Sequence, residues 1–352
     1  MKNKVIINKK LIKLLVITLI CVLNFEIINL VNSSMVFASS ATDYDFTDEL
    51  DADRVGIGFT WIAENRTLEI TGIKNDSANI KLPDNSTIDI QGNIENTIGG
   101  LSCDGSLVVK GNDVASLNVT KCNCSTPIGY LSCVAIGDTL TIENGNMNII
   151  STGVGYSMSQ STYAGIYSKK VIINDGNLNI NVGGLRSKSQ ILYAIFINMS
   201  NITINGGNVQ IEVKDGDGVT GETIINAGNI EVATDNTYSA FVQVPSINPT
   251  LDWKILYSND SESEEIEADI IDIYNIYNSP VVKIYEKFLM GDLNNDKKVN
   301  VKDWNLMYSY INETSELNIN QLECADTNED GKVNIKDWNR LYNHITEVDP
   351  LL

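Results

Sequence analysis

Two stretches near the C-terminus carry oxygen-bearing side chains at matching intervals. The first comprises Asp292, Asn294, Asp296, Asn300 and Asp303, and the second Asp326, Asn328, Asp330, Asn334 and Asp337. Counted from each leading aspartate these are positions 1, 3, 5, 9 and 12 of a loop, with Lys298 and Lys332 offering a main-chain carbonyl at position 7. Calcium is a hard cation that collects about six to eight oxygens, and an EF-hand loop delivers them at this spacing. Three carboxylates in each loop add the charge that a divalent cation needs, so one Ca2+ per loop, two in all, is the expected cofactor. Position 12 is Asp instead of Glu, and Lys297 stands at position 6 of the first loop where the template has Gly, so the first site is expected to be the weaker.

A repeated apolar series follows each loop. Trp304, Met307, Tyr308 and Ile311 match Trp338, Leu341, Tyr342 and Ile345 at the same offsets, which makes one helical stripe per copy. The stripe assigns both tryptophans to the core of a helix pair, the alternative being an exposed anchor. Residues 280–285 alternate as a strand, so no helix is expected ahead of the first loop, and each half reads as a loop with a helix only on its exit side.

This segment, from Gly291 to Leu352, resembles a type I dockerin. The resemblance implies a small all-α calcium-binding domain at 287–352 that docks into a cohesin module of a scaffoldin or cell-surface protein. The partner-reading positions of that family fall here on Val301, Lys302, Ile335 and Lys336, with Ser309 and Asn343 further along the helices. Near-agreement between the halves implies the dual binding mode of the family, in which the module docks either way round. The alternative for Val301 and Ile335 is that they are ordinary apolar residues at a helix start.

At the other end, five lysines precede the apolar run from Leu14 to Leu23, and Val36-Phe37-Ala38 offers small residues for cleavage. Residues 1–38 therefore read as a secretory signal peptide. Asn24 and Glu26 interrupt the run, which is short for a membrane span, and no later segment is long and apolar enough. The chain carries a formal net charge of −20. Removal of 1–38 takes five lysines and one glutamate with it, which deepens that charge. Nucleic acid is therefore not an expected partner, and a polyanion such as pectate would need calcium bridges. A secreted, extracellular location follows, at the cell surface or in a cellulosome through cohesin.

The region 39–286 contains an internal repeat. Segments 139–149, 170–180 and 201–211 share a strand, an Asn/Gly turn and a second strand at a constant 31-residue period, with a shorter echo at 222–232. Repeating rungs of this length predict a mainly β protein, a parallel β-helix, with an antiparallel sandwich as the alternative. Asn146, Asn177, Asn208 and Asn229 should then stack as a hydrogen-bonded ladder in the turn. A second echo, Ile98 to Cys103 against Ile128 to Cys133, places those two cysteines at equivalent rung positions, one strand spacing apart and within disulfide reach, with free inward thiols as the alternative. Residues 57–72 read as a hairpin that caps the first rung, and Leu251 to Tyr285 as cover for the last.

No catalytic residue emerges in the β region. The only histidine, His344, lies outside it, and the cluster Glu212, Asp215, Asp217 reads as a turn or a calcium-binding loop. The rungs resemble, more loosely, the dockerin-bearing β-helical carbohydrate-binding proteins that hold acidic polysaccharide with help from calcium. That resemblance implies a plant-type polysaccharide as partner, with Tyr156, Tyr163, Tyr167 and Tyr193 as stacking faces unless they belong to the core. A polysaccharide lyase or glycoside hydrolase, and a structural or adhesive stalk, are the alternatives.

Overall fold

A computed structural model describes residues 43–352 apart from 49–51, 113, 153–161, 185–190, 198–200, 236, 261–263, 270–275, 277, 288, 295–297, 316, 318, 349 and 352. The expected signal peptide thus lies outside the described residues. Short strands, most of those in the second and third sheets alternating apolar and polar residues, wind through three sheets in turn. One rung consists of Leu131–Ile136, Thr139–Ile142 and Asn146–Thr152; the next consists of Thr162–Ser168, Lys170–Ile173 and Asn177–Gly183. Each strand pairs in parallel with its counterpart one rung on, so the chain coils as a parallel β-helix and not as an antiparallel sandwich. Parallel register brings like residues together: Met147, Leu178, Val209 and Ile230 form one buried column, and Ile142, Ile173, Ile204 and Ile225 another. Interior side chains are thereby removed from water on all sides, the main stabilising term for a coil with no globular centre.

The turn between the second and third sheets shows why the repeat keeps its glycines. Gly176 and Gly207 have φ of +84° and +74°, and a Cβ on either would lie 2.4 Å from the carbonyl oxygen of the glycine one rung below. Only glycine tolerates both that backbone and that approach. Beside it runs the expected ladder: Asn177 donates from Nδ2 to Asn146 Oδ1 (2.6 Å), Asn208 to Asn177 (3.0 Å) and Asn229 to Asn208 (2.9 Å). A second ladder, not foreseen, runs on the other side of the turn, where Asn174 donates to Glu143 (2.9 Å), Asn205 to Asn174 and Asn226 to Asn205 (2.8 Å each).

Both ends are covered as expected. The antiparallel pair Phe59–Ile62 and Thr67–Ile70 opens the second sheet, with Trp61 fully buried against Phe46. At the far end Val281–Glu286 pairs antiparallel with Asn229–Thr234 and is itself backed by Trp253–Ser258. The expectation for Cys103 and Cys133 fails. In the first sheet Cys103 lies opposite Ile136, not Cys133, and Cys133 is bonded to Cys122. The long connection from 120 to 130, which contains the short antiparallel strand Cys124–Ser125, shifts the register by three residues from the apparent repeat. Cys103, Cys124 and Cys324 are free and buried.

The C-terminal part is helical: α1 (Val301–Ile311), α2 (Ile319–Ala325) and α3 (Ile335–Ile345). It has its own small core of Leu293, Met307, Cys324, Ala325 and Leu341. Among the described residues no helix precedes the first loop, as expected, but α2 precedes the second, so the loop-plus-exit-helix description holds only for the first half.

Candidate metal centre and docking face

Each loop ends inside a helix, and that start sets the geometry. Asn300 is the N-cap of α1 and Asp303 its third residue; Asn334 and Asp337 do the same for α3. Both pairs form capping boxes, in which the asparagine oxygen accepts a helix N–H and the aspartate reaches back to the asparagine N–H. Loop positions 9 and 12 are thus held side by side before any ion arrives. Asp303 accepts from Asn294 N–H (3.1 Å) and Asn300 N–H (2.9 Å), and Asp337 from Asn328 N–H (3.1 Å) and Asn334 N–H (2.9 Å), the same pattern in both halves.

The second loop is described throughout. Asp326 accepts from the N–H of Asp330 and Gly331, and Asp330 from that of Lys332, so the carboxylates at positions 1 and 5 already curl the backbone around a common centre. Gly331, at position 6, has φ of +81°, which accounts for glycine there. In the first loop Asp296 and Lys297 lie outside the described residues. Among the described residues no three His, Cys, Asp or Glu side chains converge as a metal cluster, and the donor set depends on amide and main-chain oxygens as well. The donors fit calcium on one observation in particular. Asp303 and Asp337 are fully buried, with main-chain N–H groups as their hydrogen-bond partners among the described residues, and a buried carboxylate of this kind is stabilised by a cation at its open side.

Helix α2 links the loops. Its Gln321 donates from Nε2 to Leu293 O (2.9 Å) and Cys324 Sγ to Asp292 O (3.4 Å), while its C-terminus leads straight into Asp326. Its short sequence lacks the tryptophan-led stripe of α1 and α3; the signal that could have revealed it is the helix-favouring run Gln321-Leu322-Glu323 with Ala325.

The halves are related by an approximate two-fold. Trp304 stacks on Trp338 at 4.4 Å between centroids, and the crossed pairs Trp304–Tyr342 and Tyr308–Trp338 lie at 5.8 and 5.9 Å. Both indole Nε1 atoms are buried without a hydrogen-bond partner. The tryptophans are therefore packed at the helix contact, in line with the core assignment, although neither is fully buried. Met307 and Leu341 are fully buried, whereas Tyr308 and Tyr342 turn outward. Val301 and Ile335 are exposed to nearly the same degree, 55% and 54%. Lys302 and Lys336 are exposed beside them, and Ser309 and Asn343 are partly exposed.

On the β-helix two of the three described tyrosines are buried and offer no sugar-stacking face. Tyr163 points into the core and is fully buried; Tyr167 points outward but is 2% exposed, with Phe196 stacked on it. Tyr193 is partly exposed, and Tyr156 lies outside the described residues. Glu212 lies in the third sheet and Asp217 in the first, with Asp215 in the turn between them, so the acidic run is divided between faces.

The family model for the dockerin type I domain matches residues 290–346. No curated protein and no solved structure matches the chain. Dockerins of this type bind calcium in general, imply a cohesin partner and are typically extracellular and cellulosome-associated. Residues 290–346 are a type I dockerin domain, carried at the C-terminal end of a mainly β chain.

Proposed function

We propose that this protein is a secreted, cellulosome-type component that docks to a cohesin through its dockerin and holds polysaccharide on its β-helix without cutting it. In this reading residues 1–38 are the signal peptide, 39–286 the β-helix and 287–352 the dockerin. Two calcium ions occupy the loops, one held by Asp292, Asn294, Asp296, Lys298 O, Asn300 and Asp303, the other by Asp326, Asn328, Asp330, Lys332 O, Asn334 and Asp337.

The observation that carries the reading is the pair of matching loop-to-helix starts, each with a capping box, a buried aspartate and an exposed apolar residue next to an exposed lysine. Val301 and Ile335 would fill apolar pockets on the cohesin, while Lys302 and Lys336 would meet acceptors at the rim. Because the halves agree, a cohesin can engage with either uppermost. Calcium supplies the charge that holds each loop closed, so docking depends on it. No histidine-dependent mechanism is open to the β-helix, since the sole histidine is in α3, where its Nδ1 accepts from Leu351 N–H (3.0 Å).

The test has two arms on the full chain. Capture by an immobilised type I cohesin with calcium, lost on chelation, supports docking; capture by none of a panel of cohesins contradicts it. Affinity electrophoresis through gels containing plant polysaccharides, followed by staining for polymer, addresses the β-helix. Retarded migration with intact polymer supports binding, a cleared zone shows an enzyme, and unchanged migration across the panel favours a stalk.

A further inference from the structure

The third sheet presents a face whose side chains differ in one respect from the ladders beside it. Along its outward side Asn148, Asn179, Gln210 and Glu231 follow one another in register on four successive rungs, with Asn181 and Glu212 in a neighbouring column. All six are partly or fully exposed. The turn asparagines are bound to each other, as are Asn148 to Asn118 (2.8 Å) and Asn181 to Glu212 (3.0 Å). Among the described residues the amides of Asn179 and Gln210 have no hydrogen-bond partner. Each therefore offers two N–H donors and an acceptor oxygen to whatever lies above it.

We infer that an uncharged, extended polysaccharide lies along this face, parallel to the helix axis, with its hydroxyls bound by Asn148, Asn179, Gln210 and Glu231. The inference rests on the polysaccharide-holding reading above and names its ligand class and site. Spacing argues for it, since strands recur every ~4.8 Å, about the advance of one sugar in an extended chain, so successive sugars meet equivalent side chains. Chemistry argues for it as well. Amides and carboxylates that alternate as donors and acceptors match hydroxyls. A polyanion would be opposed by Glu212, Glu231 and a net charge of −20. A protein partner would find few apolar anchors, for among the described residues only Ile150 and Ile266, 44% and 42% exposed, are large apolar side chains exposed on this sheet's strands, and Ile266 sits on the last strand, away from the amide column.

The face ends in a depression of about 150 Å3 lined by Gln210, Glu212, Glu231, Ala233, Val281 and Lys283, where the small Ala233 leaves room between longer neighbours. Tyr285 fixes one wall by donating its hydroxyl to Glu231 Oε1 (2.6 Å). One sugar at the chain end could sit there, its hydroxyls shared between Gln210 and the carboxylates.

The deciding experiment is affinity electrophoresis of the full chain with calcium, in gels of mixed-linkage β-glucan and, separately, of polygalacturonate. The double variant Asn179→Ala/Gln210→Ala is compared with Thr141→Ala/Thr203→Ala, a control on the second sheet. The expected result is retardation by the β-glucan that weakens about tenfold in the first variant, two lost hydrogen-bonding groups, and is unchanged in the control. Should the double variant fail to fold, Gln210→Ala alone is read, with a smaller loss expected. Retention of wild type that survives the amide substitutions, or retention by polygalacturonate alone, overturns this inference and leaves the broader reading standing. No retention by any polysaccharide overturns both.

Discussion

Asp303 and Asp337 each serve two structures at once, as the last ligand of a calcium loop and as the third residue of the helix that follows. Asp337→Ala would free the N–H groups of Asn328 and Asn334, at a cost of about 1–2 kcal/mol to the calcium-free dockerin. It would also remove a carboxylate from the second site, so calorimetric titration should fall from two calcium ions to one. Two ions bound by the variant would show that the ligand assignment is wrong. The free thiols are governed by burial at the same scale. Desolvation pushes Cys103 up to about 11 and Cys124 and Cys324 up to about 12, so none is a thiolate near neutral pH. Native protein lacking residues 1–38 should resist iodoacetamide at pH 8, and denaturation without reductant should expose three thiols by mass spectrometry. A count of five would contradict the Cys122–Cys133 bond.

Among the elements, the paired asparagine ladders and the amides of the third-sheet face make contrary predictions for one kind of substitution. Asn177→Ala removes a donor to Asn146 and an acceptor for Asn208 and should cost about 1–2 kcal/mol. Asn179→Ala, two residues on, removes an amide without a partner among the described residues and should change stability by less than about 0.5 kcal/mol. Urea unfolding of the two variants compares them directly, and equal losses would mean that both positions are structural. The C-terminal cap carries a pH signature. Burial, then the hydrogen bond to Glu231 and the nearby charges of Glu231, Glu265 and Glu323, raises the Tyr285 hydroxyl well above the ordinary phenol range. An unfolded tyrosine ionises near pH ~10 while Tyr285 stays protonated, so its contribution is complete below that pH and declines as pH rises above it. Melting between pH 8 and 11 should show this decline in wild type and a smaller one in Tyr285→Phe.

Across the whole molecule, the β-helix and the helical domain have separate hydrophobic cores, joined by a connection only a few residues long. Exposed contacts bridge them, such as Lys254 Nζ to Glu323 Oε1 at 3.6 Å, and a pair of this kind contributes about 0–1 kcal/mol. Two unfolding transitions are therefore expected. Chelation should lower only one, because calcium stabilises only the part that binds it. A single transition that shifts as a unit would mean that the dockerin and the β-helix fold together.

The sequence alone determined what depends on neighbours along the chain. The loop ligands lie within twelve residues of one another, and helix capping uses residues three apart, so both were legible. Constant rung length did the same for the parallel coil, because a strict 31-residue period forces Asn146, Asn177 and Asn208 into one ladder. Where the rung length changes, the sequence misled: the connection from 120 to 130 shifts the first sheet's register and gives Cys133 to Cys122. Tertiary structure alone decided the burial of Tyr163 and Tyr167, since the strand Thr162–Ser168 does not alternate and its sequence states neither that Tyr163 turns inward nor that Phe196 covers the outward Tyr167. It alone decided, too, that Asn174, Asn205 and Asn226 form a second ladder and that Asn148 is bound to Asn118, because these bonds between rungs depend on the height at which each rung sits.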